Sequence, residues 1–173
     1  MRALSIVHAL SACAALCACA PSLNWRDVPI ADTALMALFP CKPDDTERTV
    51  PLAEQAALVT MRSCEAGGAT YAVGHARLSD PSGAARALAQ WRDATRNGLG
   101  PQPVAVSLQP PQDAPALPQL LALQATRDPS QTPAQTLQGV WFARGPDVFA
   151  AFVLGDGLTP AATELFFSGL RLR

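Results

Sequence analysis

The amino terminus decides how much of this chain is left to fold. One basic residue, Arg2, precedes an apolar run from Ala3 to Leu16, which ends in Leu16-Cys17-Ala18-Cys19. A helix that spans a bilayer needs roughly 17 to 25 apolar residues, and this run has about 14, inside the range of a secretory signal peptide. Cleavage before Cys19 leaves residues 19–173, which is one domain by the usual size prior and enough chain to close a hydrophobic core. Arg2 leaves with the signal, so twelve basic residues face fourteen acidic ones in what remains. That balance offers no basic face for nucleic acid. Lys42 is the only lysine, a bias that reads as genomic base composition.

A cysteine placed after Leu-x-small at the end of such a run resembles the lipobox of bacterial lipoproteins. The resemblance implies that Cys19 is lipidated and becomes the first residue, with Ala20 behind it directing the protein to the outer membrane. Leu10-Ser11-Ala12-Cys13 is a second candidate box, but it leaves an apolar core of only about seven residues, so Cys19 is preferred over Cys13. Three acyl chains, each methylene contributing about 0.8 kcal/mol on burial, make such an anchor effectively permanent. The chain then divides into a signal peptide (1–18), a lipidated cysteine with a short tether (19–24), and one globular domain (25–173) held in the periplasm close to the membrane.

Cys13 and Cys17 leave with the signal, and Cys19 takes lipid. The domain keeps Cys41 and Cys64, and an even pair in an oxidising compartment is most simply a disulfide. The rival readings are a redox couple and a metal site. Both lack support: there is no Cys-x-x-Cys, and His75 is the only histidine of the domain. No metal or other cofactor is expected.

Period-two patterning dominates the rest. Strands are expected from Trp25, at Ala34 to Phe39, Thr46 to Leu52, Ala56 to Cys64 and Ala69 to Leu78, with a turn at Ala53-Glu54-Gln55 and a stronger one at Glu65-Ala66-Gly67-Gly68. In the last of these strands Thr70, Ala72, Gly74 and Ala76 share one face, small enough for a helix to pack closely. Ala84, Ala85, Leu88 and Trp91 supply that helix, with Ser79 or Asp80 as its cap and Asn97-Gly98 at its end. Further strands are expected at Val104 to Leu108, Leu120 to Thr126, Thr136 to Ala143, Val148 to Leu154 and Leu170 to Leu172. Thr159-Pro160 opens a short second helix. Two proline-rich loops, Gln109 to Pro118 and Asp128 to Ala134, separate these parts.

This order of parts resembles bacterial members of the PsbP-like family, whose fold is shared with a Ran-binding nuclear import factor. Phe39-Pro40-Cys41-Lys42-Pro43 is similar to the family's Phe-Pro-x-Lys-Pro, and Phe166-Phe167-Ser168-Gly169-Leu170 to its Phe-x-x-Ser-Leu-like ending. The likeness covers most of residues 34–173. It implies an α+β fold in which an antiparallel sheet carries helices on both faces, an α/β/α sandwich. It also implies a non-enzymatic accessory or binding protein, and it supplies no catalytic residues. The cysteine inside the Phe-Pro motif and the long proline-rich insertion depart from the family's pattern.

Two function classes follow. The first is a non-catalytic envelope lipoprotein that binds a protein partner or supports an assembly, with Gln112 in the proline-rich loop as a contact. The second is a small-ligand binder or enzyme using a pocket around Tyr71, His75 and Arg77, with Asp80 or Glu65 near the histidine in sequence. No Gly-x-Ser-x-Gly elbow is present to pair with His75, and an enzyme is not expected. Trp91 and Trp141 read first as core and second as walls of a ligand groove. The protein extracted from envelope membranes is expected to have the mass of residues 19–173 plus a triacyl group; an unlipidated mass would contradict the anchor.

Overall fold

The computed structural model describes residues 23–100, 104–107, 118–127, 130 and 134–173. The signal segment, Cys13, Cys19 and Gln112 lie outside the described residues. Ten strands are present among the described residues. They are β1 (Arg26–Pro29), β2 (Leu35–Phe39), β3 (Asp44–Leu52), β4 (Gln55–Ala66), β5 (Ala69–Arg77), β6 (Val104–Ser107), β7 (Leu121–Thr126), β8 (Thr136–Arg144), β9 (Asp147–Gly155) and β10 (Arg171–Leu172). Helices α1 (Ala84–Asn97) and α2 (Pro160–Ser168) complete the fold. Seven strands form one antiparallel sheet in the order β3-β4-β5-β9-β8-β7-β6, and β1-β2-β10 form a second.

Tight turns set the order of the large sheet. Gly67 and Gly68 both have positive φ, which glycine adopts without a Cβ penalty, and they join β4 to β5. Gly145 does the same at the start of the two-residue β8–β9 turn. The β3–β4 turn is different: Ala53 (φ 49°) and Glu54 (φ 65°) occupy the left-handed region without glycine. Helix α1 holds that turn in place. The Gln90 side chain accepts from the Ala53 amide at 2.9 Å and donates to the Pro51 carbonyl at 3.0 Å, and Arg86 pairs with Glu54 at 3.2 Å.

Alternation along the strands makes two cores, one on each face of the large sheet. On the first face Leu52, Val59, Ala76, Leu123, Leu137 and Trp141 meet Ala84, Ala87 and Leu88 of α1. Ala87, not Ala85, completes the buried stripe of the helix; Ala85 is exposed. A turn of 3-10 helix (Pro81–Gly83) precedes α1 and takes the cap from Asp80, whose carboxylate accepts from the Ser82 amide and hydroxyl at 2.9 and 2.8 Å. Those two bonds hold the Asp80 carboxyl below the usual carboxylate range.

The small-residue face of β5 brings α1 down onto the sheet. A Cβ added at Gly74 would stand 2.7 Å from the Trp91 ring and 2.9 Å from the Met61 methyl, closer than real contacts allow. Trp91 therefore lies on the backbone of Gly74.

The second core joins the large sheet to β1-β2-β10 and α2. Phe39, Tyr71 and Phe166 pack edge to face with ring centroids 5.8 and 5.4 Å apart, and Phe142 stacks on Phe149 at 5.0 Å. Cys41, two residues past β2, is bonded to Cys64 on β4, with Cα atoms 6.0 Å apart. The bridge ties the small sheet to the large one, and closing its loop contributes about 3 kcal/mol in the chain-entropy account. An antiparallel α+β fold matches the sequence expectation. What covers this second face is chiefly a small sheet with α2 packed on β2, instead of a layer of helices. Thr159 is the N-cap residue of α2 but makes no side-chain cap; its carbonyl accepts from the Thr163 hydroxyl at 3.0 Å.

Gly74→Val is expected to lower stability by about 1 to 3 kcal/mol in denaturant melts, because the added methyls overpack the α1 contact. Combining it with Trp91→Leu is expected to recover part of that loss.

Candidate functional site

The structure separates the residues of the expected pocket. Tyr71, His75 and Arg77 share one face of β5, but Tyr71 is buried between Trp25 and Phe166, deep in the second core. His75 and Arg77 lie nearer the β8–β9 turn, and both engage Asp147. His75 Nε2 is 2.9 Å from Asp147 Oδ1, and Arg77 Nη1 donates to both carboxylate oxygens at 3.2 Å. The antiparallel register explains the meeting: Arg77 is opposite Asp147, and His75 is opposite Phe149, whose ring packs on the imidazole with centroids 5.2 Å apart.

Asp147 was not an expected partner. The two carboxylates near in sequence have other places: Asp80 caps the turn before α1, and Glu65 sits beside the Gly67-Gly68 turn at the far end of the strand. Among the described residues no hydroxyl or thiol is hydrogen-bonded to His75, so the pair has a carboxylate on one side and no nucleophile on the other. Among the described residues no group of three or more His, Cys, Asp and Glu side chains could hold a metal ion.

A groove lies elsewhere, between α1 and the β3–β4 hairpin on the first face. Its volume is about 520 Å3, within the range of ligand and peptide sites. Leu52, Val59 and Met61 form its floor. Trp91, Ala94 and Thr95 of α1 form one wall, and Thr46, Arg48 and Val50 of β3 line the open side. The Trp91 indole is half-buried, resting on Gly74 and presenting its remaining surface to the groove. Arg48 is exposed and makes no ion pair among the described residues.

Trp91 thus has both roles that the sequence offered, core and wall. Trp141 has one: it is fully buried, and its indole N–H has no partner among the described residues. Sequence reasoning missed Thr46, Arg48, Val50, Met61 and Thr95 as groove residues. The signal was present in part, since Thr46, Arg48, Val50 and Leu52 alternate onto one face of β3, and positions 91 and 95 are four apart on the helix. What no local pattern shows is that these two stripes face each other.

A second, more polar hollow of about 480 Å3 lies at the other end of the large sheet, beside Gly67, Gly68 and Asp156. Leu23, the first described residue, packs against the second core near Gly67, where a Cβ would stand 3.6 Å from its side chain. Comparison with protein families, curated proteins and solved structures finds no match for this chain.

Tyr71 is the chain's only tyrosine, and burial pushes its phenol above the ordinary value of 10.0. The folded state holds this proton more tightly than the unfolded chain does. Its contribution to stability is therefore whole below the ordinary value and is lost as pH rises through the folded value. A spectrophotometric titration is expected to place the midpoint of phenolate formation above the ordinary value of 10.0. Tyr71→Phe is expected to remove that part of the alkaline loss of stability.

Proposed function

We propose that this protein is a lipid-anchored lipoprotein of the bacterial envelope that acts without catalysis. Its domain sits in the periplasm, most simply at the outer membrane, and binds a protein partner through the groove between α1 and the β3–β4 hairpin. The observation that carries the reading is the groove itself: an apolar floor, a half-buried tryptophan wall and an open side. Such surfaces serve recognition, since a large amphipathic ring contributes contact area at little cost in side-chain entropy.

The address at Cys19 and the Cys41–Cys64 pair support an extracytoplasmic location. No helix among the described residues is long and apolar enough to cross a membrane. We read the architecture as a PsbP-like α/β/α sandwich in which the small β1-β2-β10 sheet shares the second face with α2. Support for this comes from the division of the helices, with α1 contributing to one core and α2 to the other. A second reading, a ligand or catalytic site at His75, rests on the His75–Asp147 pair, and His75→Ala would remove it without touching the groove.

A photoreactive residue placed at Ala94, exposed on the α1 wall, is expected to give a discrete partner band in envelope membranes. The same residue at Ser168, exposed on α2, is expected to give none. A band from position 168 with none from position 94 would contradict the assignment.

A further inference from the structure

The open side of the groove is also the free edge of the large sheet. Strand β3 ends the strand order, so one side of its backbone has no ladder partner in that sheet. Which groups face outward follows from the turn. The two-residue Ala53-Glu54 loop makes Leu52 and Gln55 a hydrogen-bonded pair, and the register runs unbroken to Asp44 opposite Ser63. Counting back in twos, Val50, Arg48 and Thr46 bond to β4, whereas Pro51, Thr49, Glu47 and Asp45 turn their backbone groups outward. Pro51 has no N–H to offer, and so it closes the usable edge at that end.

The side chains alternate in step with the backbone. Thr46, Arg48 and Val50 lie on the groove face; Asp45, Glu47 and Thr49 lie on the other. Asp45 is already held by Arg62 at 2.8 Å. Glu47 is exposed and unpaired among the described residues, as is Arg48. A strand laid along β3 would therefore meet a cation and apolar surface on one face and an anion on the other. Charge complementarity selects apolar residues toward the groove, where Arg48 repels cations, and basic residues toward Glu47.

We propose that β3 accepts an extended partner segment as an eighth strand of the sheet. The segment alternates apolar residues, seated against Val50 and Trp91, with basic residues facing Glu47. This rests on the binding role proposed above, and it names the form of the partner. Backbone pairing at Thr49, Glu47 and Asp45 supplies affinity, and the groove and Glu47 supply the pattern that is accepted.

The test uses a fluorescent peptide of alternating valine and lysine as long as β3, nine residues, titrated into the full chain by anisotropy. Saturable binding is expected, with a valine–glutamate peptide weaker by about tenfold or more. Thr49→Pro removes one outward N–H and leaves the β3–β4 bonds intact, so it is expected to weaken binding by about tenfold at an unchanged melting temperature. A peptide N-methylated on its ladder-facing amides makes the same test on the unaltered protein, should the proline disturb folding.

Equal binding by the N-methylated peptide or by Thr49→Pro would overturn strand addition, and so would no binding by the parent peptide. A crosslinked partner at position 94 alongside either failure would leave the binding role standing and remove only this form of it. Concentration-dependent dimerisation abolished by Thr49→Pro would assign the edge to a second copy of the chain and overturn the proposal.

Discussion

The contact of Trp91 with Gly74 is the constraint on which the rest of this structure depends. A sheet face that carried ordinary side chains along β5 would hold a helix at the usual separation and fill the space beneath it. Here Gly74 has no Cβ, Ala72 and Ala76 flank it, and the indole comes down to the backbone. The helix is anchored at that point and tied at the hairpin by Gln90. Between the two attachments, α1 and β3 part enough to leave an apolar groove. A hollow of that kind costs contacts that a filled core would have made. The structure tolerates it because the second core, closed by the Cys41–Cys64 bridge and four interlocking aromatic rings, is independently well packed.

The same arrangement explains why the two candidate sites differ in kind. His75 lies where two strands pair in register, so its partners are fixed by the ladder: Phe149 opposite, Asp147 one step along, and Arg77 sharing that carboxylate. The cluster is satisfied internally, as buried polar groups usually are. The groove is unsatisfied. Its apolar wall, its unpaired Arg48 and the outward backbone of β3 from Asp45 to Thr49 lack partners among the described residues, and they lie side by side; only the Pro51 carbonyl on that edge is taken, by Gln90.

Local structure was largely legible in the sequence, because it depends on neighbours a few residues apart. Alternation marked β5 and its small face, Gly67-Gly68 marked a hairpin, and the spacing of Ala84, Leu88 and Trp91 marked α1 and its buried stripe. The Ala53-Glu54 turn was found only loosely. It lacks the glycine that advertises such a turn, and its conformation is imposed by Gln90, which is 37 residues away from Ala53. Sheet order was not legible: that β5 lies against β9, and that β3 is left at the edge, depends on contacts between distant segments. For the same reason Asp147 was missed as the partner of His75, and the groove was missed although Trp91 had been read as a possible groove wall.

Strand addition at β3 requires that its outer edge be free. Hydrogen exchange of individual amides in the full chain tests it most directly, because the two sides of one strand serve as each other's control. The Arg48 and Val50 amides, bonded to β4, are expected to exchange slowly, while those of Glu47 and Thr49 exchange at near solvent rates. Equal protection of all four in the isolated protein would show that the edge is already covered, and would contradict strand addition at β3.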